Sequence, residues 1–246
     1  MLDISTDPPK NLWDQYVAGN GAAKHSHLFD WAENLSATYS LPLFRLAVTN
    51  SKTCRISGIL PLVLFAPPGK DIRLISLPYT DSAGILADNW QSAQRLLSAG
   101  LNLVDRLGAH HLELRQDGTL HSFYLQYQPD DSLCYTPHNF KTGLVRPLPD
   151  SSSALWSRLS AKVRNQVRKA RRCECIARSG TIELLPDFYA VFSENMRDLG
   201  SPVHDKNLFH NLMESGSLHT AIIAVYLRGT PAAAAFVLLH NKTLFN

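Results

Sequence analysis

The stretch from Leu43 to Phe65, LFRLAVTNSKTCRISGILPLVLF, decides how this chain folds. Two runs rich in branched and aromatic residues, 43–49 and 55–65, flank the polar turn Asn50-Ser51-Lys52-Thr53-Cys54, which is the pattern of a β-hairpin. The pattern returns from His219 to Asn241, HTAIIAVYLRGTPAAAAFVLLHN, with Arg228-Gly229-Thr230-Pro231 as the tight turn. Each hairpin follows two helical segments. Ahead of the first, Asp7-Pro8-Pro9 signals a helix start, and Leu12, Trp13, Tyr16 and Val17 recur at helical spacing up to Gly19–Gly21. A second helix runs from about Phe29 to Tyr39. Ahead of the second hairpin, a strand is expected at Thr181–Leu185, Asp187 caps a helix to about Leu199, and Asp205 caps another to Glu214. This order reads as a duplicated α/β unit.

The first copy continues. Ile72–Leu77 reads as a third strand, followed by the loop Pro78-Tyr79-Thr80-Asp81-Ser82-Ala83-Gly84 and a short strand, Ile85–Ala87. Asp88 or Asn89 then caps a long helix that Gly108 stops, and His111–Arg115 is the next strand. The stretch holding Pro129, Pro137, Pro147 and Pro149 is taken as strands and connections that close the unit. The second copy ends where the first still has a strand, a long helix and another strand to come. The expectation is therefore an α/β fold with mixed sheets, a first domain over 1–150 and an incomplete second domain over 151–246.

A length of 246 residues suits two small domains or one large one. With 45% hydrophobic and 18% charged residues, the composition excludes long disorder, a collagen-like repeat and a coiled coil. The longest apolar stretch, Ile56–Pro68, is too short to cross a bilayer and is interrupted by three prolines. The start, MLDISTDPPK, lacks the apolar core of a secretory signal, so the expected address is the cytoplasm or the inner face of its membrane. No metal site is expected: Cys173 and Cys175 stand one residue apart, closer than zinc knuckles space their ligands, and no HExxH pattern occurs.

Charge is distributed unevenly. Eight of the 24 basic residues but one of the 21 acids fall between Arg158 and Arg178, so the rest of the chain is net acidic. Periodicity over about 153–173 predicts one long helix, with Leu155, Trp156, Leu159, Val163, Val167 and Ala170 on one face and Lys162, Arg164, Arg168, Lys169, Arg171 and Arg172 on the other. A solvated outer face accounts for such a pattern. So does a polyanionic partner, which would relieve the repulsion between like charges at i,i+4 and suits guanidinium forks. Peripheral membrane contact through the apolar face is a third reading.

Three further places carry polar chemistry. The loop 78–84 lies between two strands, where α/β folds place ligands, and also reads as an ordinary turn. Glu113 and Arg115 share one strand face, as an internal salt bridge or as a substrate contact. The segment Asn195–His204 reads as a helix C-cap plus a connection, or as a functional turn.

The runs ISGILPLVLF, RLISLPYTDSAGILAD, HHLELR, KVRNQVRKARR and FYAVFSENMRDLGSPVHDKNLF, in that order, resemble the FemAB-related, BioF2-like (GNAT-type) acyltransferases, closest to the branch associated with exosortase (PEP-CTERM) and exopolysaccharide systems. The resemblance implies tandem GNAT-like domains, the second lacking its C-terminal part. It also implies transfer of an acyl or aminoacyl group to an amine on a peptidoglycan, cell-envelope or exopolysaccharide precursor. No permanently bound cofactor is expected. The donor is aminoacyl-tRNA or acyl-CoA, and Leu86-Ala87-Asp88-Asn89-Trp90 offers no glycine-rich pyrophosphate cradle in the first domain. Partners so implied are a phosphate-bearing or lipid-linked substrate and tRNA. Asp81 and His204 are the candidates for proton transfer, Tyr79 and Arg115 for substrate contact, and Arg164, Arg168, Lys169 and Arg172 for phosphates. The alternative is a binding protein without chemistry that recognises RNA or phosphate-bearing carriers through the basic helix.

Overall fold

Alternation along the first hairpin sorts its side chains onto two faces, and both are covered. A computed structural model describes residues 2–69, 71–116, 136–138 and 143–246. Strands β1 (Leu2–Ser5), β2 (Leu43–Asn50), β3 (Arg55–Phe65), β4 (Arg73–Ile75), β5 (Leu86–Ala87) and β6 (His111–Glu113) form a mixed sheet in the order β1-β2-β3-β4-β6, with β5 paired to β3. All pairs are antiparallel except β4 with β6. Leu46, Val48, Leu60, Leu62 and Leu74 pack on α3 (Trp90–Leu107) through Ala93, Leu96, Leu103 and Val104. Each such side chain, fully buried, contributes roughly 1.5–3 kcal/mol. Asn89 caps α3 by accepting from Ser92 N–H, and Gly108 ends it at φ +63°. Gly100 allows a close approach, since a Cβ there would sit 3.1 Å from the Leu112 side chain, which would have to shift.

The opposite face of the sheet meets α1 (Lys10–Gly19) and α2 (Phe29–Tyr39), with Trp13, Val17, Ala47 and Ile59 in one core cluster. That cluster also holds Leu208, Leu212, Leu218 and Leu238 from the second half, so the halves share a core. Asp30 on α2 reinforces the join by accepting from Ser215 and Ser217 hydroxyls at 3.0 and 2.6 Å.

The second half opens with α4 (Ser152–Arg158) and α5 (Ala161–Arg172), followed by β7 (Ile176–Gly180), α6 (Leu185–Asp198), α7 (Lys206–Glu214), β8 (His219–Leu227), β9 (Thr230–His240) and β10 (Thr243–Phe245). The strands make a separate antiparallel sheet, β10-β9-β8-β7. Leu185 and Phe188 of α6 and Phe209 of α7 cover one face over Ile222 and Phe236, while Ile223, Leu239 and Leu244 on the other face are exposed. The expected fold class therefore stands, an α/β chain with a mixed sheet and a second, antiparallel one. No helix among the described residues is long and apolar enough to cross a membrane.

Four expectations are corrected. β1 was not anticipated, because two apolar residues, Leu2 and Ile4, are too few to register as alternation. The single helix over 153–173 is two, broken at Leu159-Ser160: Ser160 takes an extended backbone and accepts from Val163 N–H, acting as a fresh N-cap. The strand expected at Thr181–Leu185 is a short 3-10 turn, stabilised where Glu183 accepts from the Thr181 N–H and hydroxyl at 2.9 and 2.7 Å. The strand lies just upstream as β7, an edge strand exposed along most of its length. Asp187 lies inside the first turn of α6 rather than at its cap, and accepts from the Tyr226 hydroxyl at 2.5 Å. Most of the proline-rich stretch, including Pro129, lies outside the described residues.

Candidate functional site

The loop after β4 is held in an unusual shape from several sides. Leu77 and Tyr79 both have positive φ, +56° and +62°, on either side of Pro78, a conformation that costs on the order of 1–3 kcal/mol per non-glycine residue. Compensation comes from its neighbours. Thr80 donates its hydroxyl to Leu77 O at 3.2 Å, and Arg115 donates Nη1 to Thr80 O at 2.7 Å. Ser26 donates to Ser82 O, the His27 ring meets Gly84 O at 3.1 Å, and Ala83 N–H donates to Arg115 O at 3.0 Å. Gln116 closes the loop by bonding both N–H and C=O of Ile85, and a Cβ on Gly84 would overlap its side chain.

What the loop presents is the Tyr79 ring, 46% exposed beside Tyr39 of α2 at 5.0 Å and Phe65 of β3 at 6.4 Å. His204 completes the cluster from the other half of the chain, 5.1 Å from the Tyr79 ring. Gly200, at φ +66°, ends α6, and Ser201 N–H closes the turn on Met196 O. Tyr189 donates to His204 O at 3.0 Å, the Phe192 ring stacks parallel to the imidazole, and Tyr39 Oη lies 2.9 Å from His204 Nδ1. Burial pushes the His204 pKa down and the Tyr39 pKa up, so both groups are neutral near pH 7.

Of the residues singled out from sequence, Tyr79 and His204 meet. Asp81 does not join them: it is exposed, and its charge acts on His25. Arg115 is a brace for the loop, and its Nε also bonds Glu113, which pairs with Arg73, so the salt-bridge reading of Glu113 and Arg115 is the one the geometry realises. Tyr39 was missed as a site residue. Its place on the apolar stripe of α2 gave no sign that its hydroxyl crosses to the second half.

The basic segment stands apart from this cluster. No residue of α4 or α5 is buried. Arg164 donates to Ser157 O and Leu159 O at 3.2 and 2.5 Å, capping the end of α4. Arg168 and Arg171 lie over the Trp156 ring, 5.6 and 5.8 Å from its centre, and Arg168 also bonds Asn165. With Arg172 they line a shallow concavity of about 360 Å³. Val163 is exposed, and Leu155, Trp156 and Leu159 are half-buried.

Residues 157–246 match the family model of the acetyltransferase (GNAT) domain. Among solved structures, FemX superposes over 92% of this chain and 58% of its own, with a TM-score of 0.63 and 18% identity. A Trypanosoma brucei acetyltransferase aligns over 58% of this chain and all of its own, at a TM-score of 0.41 and 10% identity. The glucosamine-6-phosphate N-acetyltransferase of Arabidopsis thaliana aligns over 57% and 99%, at 0.37 and 10%. No curated protein matches the sequence. The likeness to FemX is one of fold, and the chain spans little more than half of that protein's length.

A cavity of about 560 Å³ lies between β1 and α3 with Arg95 and Arg106 on its wall. Eleven residues apart, their backbones stand about 16 Å from each other along the helix axis. The N-terminus of α3 is closed by Asn89, and Asp88 adds a carboxylate bonded to the Tyr16 hydroxyl at 2.9 Å. A phosphate is repelled there rather than cradled.

Proposed function

We propose that this chain is an N-acyltransferase of FemAB type, moving an acyl or aminoacyl group to an amine on a cell-envelope or exopolysaccharide precursor, in the exosortase-associated branch. The domain division that goes with it is 1–150 and 151–246, each GNAT-like. One observation carries the reading: the strained loop bearing Tyr79 and the turn bearing His204 come from different halves of a GNAT-type chain and converge on one partly open aromatic cluster. The match of 157–246 to a GNAT domain and the FemX-like fold support it.

In the reaction a neutral amine nitrogen attacks the acyl carbonyl carbon. A C–N bond forms, the C–O bond of an aminoacyl ester or the C–S bond of a thioester breaks, and the proton shed by the amine ends on the leaving oxygen or sulfur. Rings around the cluster would orient the amine, and positioning alone removes several kcal/mol of barrier. The closed, acidic N-terminus of α3 favours aminoacyl-tRNA over acyl-CoA as far as the first unit is concerned. Phosphates of donor or acceptor would fall to Lys169 and Arg172. Incubating the protein with charged tRNA or acyl-CoA and amine acceptors should give an amide product by mass spectrometry, and its absence with both donor classes rejects the proposal.

A second reading, a binding protein for RNA or phosphate-bearing carriers, is favoured by one fact. The basic helices bury no residue, and the side chains of Lys169 and Arg172 make no hydrogen bond or ion pair among the described residues. It predicts salt-sensitive binding with no turnover.

A further inference from the structure

Two groups from the second half of the chain meet the Tyr39 hydroxyl. Asp205 N–H donates to Tyr39 Oη at 3.3 Å, so the phenol oxygen already accepts one bond. The other neighbour of Oη is His204 Nδ1 at 2.9 Å, and among the described residues the hydroxyl has no other acceptor. Nδ1 is thus the acceptor the described residues offer to the phenol proton, and a neutral imidazole that accepts at Nδ1 carries its own hydrogen on Nε2. Nε2 has no hydrogen-bond partner among the described residues and is not among the buried unpaired atoms, so on this half-buried ring it is left to solvent or to a ligand. Around the ring, Phe192 lies parallel at 6.3 Å and Tyr79 edge-on at 5.1 Å, and its backbone carbonyl accepts from Tyr189.

We propose that Tyr39 is a positioning residue that holds His204 as the Nε2–H tautomer, so that the imidazole offers a hydrogen bond to an oxygen of the substrate instead of taking a proton. The substrate class this selects is one that develops negative charge on oxygen, such as an acyl carbonyl passing to a tetrahedral oxyanion, for which a neutral, pre-aimed donor is well suited. Naming that oxygen as the acyl carbonyl rests on the acyl-transfer reading, whereas the tautomer does not. Because Tyr39 belongs to α2 and His204 to the segment between α6 and α7, the donor is set only when the two halves are docked.

Two-bond ¹H–¹⁵N correlation spectra of ¹⁵N-histidine-labelled full-length protein at pH 7.5 test this directly. His204 is assigned by its loss in His204→Gln. The expected pattern is a protonated Nε2 and an unprotonated, hydrogen-bonded Nδ1, with Tyr39→Phe moving the ring toward a mixture of tautomers. In kinetics, Tyr39→Phe should lower kcat about tenfold with KM nearly unchanged, and His204→Gln, which keeps an N–H donor, should retain at least tenfold more activity than His204→Ala. A protonated Nδ1 in the unsubstituted protein, or a spectrum indifferent to Tyr39→Phe, overturns the proposal. The expected tautomer with no amide formed from either donor class supports this assignment and rejects the acyl-transfer reading instead.

Discussion

The Arg115 guanidinium reaches from just beyond β6 to the carbonyl oxygen of Thr80, with Nη1 2.7 Å away. Its backbone takes part too, since Arg115 N–H donates to Ser76 Oγ at 2.7 Å and its C=O accepts from Ala83. One residue thus ties both ends of the loop that presents Tyr79. Arg115→Met should leave the fold intact and cost roughly 1–2 kcal/mol, the value of a charge-assisted hydrogen bond in a partly buried site. Transfer activity should fall further than stability explains, because Tyr79 loses its fixed position. Denaturant melts alongside product formation check this, and an Arg115→Met protein with parental activity would show that the brace is dispensable.

Backbone strain at Tyr79 makes the opposite prediction for stability. Asparagine tolerates φ near +62° far better than tyrosine, while the exposed ring gives up only part of its burial on removal. Tyr79→Asn should therefore melt within about 1 kcal/mol of the parent, or above it, and lose most transfer activity. Thermal melts and product assays separate the two effects, and a strongly destabilised variant would mean that the ring holds the fold.

Much of this was legible in the sequence where burial repeats with a clear period. The bounds of α2 and β3, a cap of α3 at Asp88 or Asn89, which the structure assigns to Asn89, and the Gly108 stop all follow from apolar spacing and capping chemistry. Edge elements were not, because β1 and β7 are short or exposed and carry little apolar signal. Ser160 was a visible break, but the amphipathic stripe runs through it and hides the restart. In the site, Tyr79 and His204 stood out as polar or aromatic residues in loops. Their meeting with Tyr39 depends on contacts between residues up to 165 apart, which local pattern does not encode.

Acid should loosen the junction through His25. This ring lies between Trp31 and Phe245, at 4.6 and 4.4 Å, and its Nδ1 is buried without a partner. Desolvation, helped by His240, His27 and Lys24 and opposed by Asp81, pushes its pKa down from 6.5 to about 4. The unfolded chain binds the proton first, so stability is complete above pH 6.5 and declines as pH falls from there toward 4. The loss attributable to this group is on the order of 3 kcal/mol. Burial depresses His204 and His240 in the same direction, so the slope is shared. Urea midpoints from pH 7.5 to 4.5 should show the decline, and His25→Gln should flatten it. An unchanged slope in that variant would assign the effect elsewhere.

The basic helices separate structural from available charge. Arg164 is spent on the last carbonyls of α4, where a cation is favoured by the exposed C=O groups, and Arg168 and Arg171 are spent on Trp156. Lys169 and Arg172 have no such duty and stand fully available to a phosphate-bearing partner. Replacing both with alanine should shift stability by less than about 0.5 kcal/mol, as expected for exposed positions. Arg164→Ala should instead fray α4 and alter Trp156 fluorescence. Binding of inorganic polyphosphate, followed against salt, should weaken in the double variant and lose steepness by roughly one power of salt for each cation that contacted a phosphate. Equal binding by parent and double variant would place the anion contact on the arginines around Trp156, and a loss of fold in the double variant would show that these two cations are structural after all.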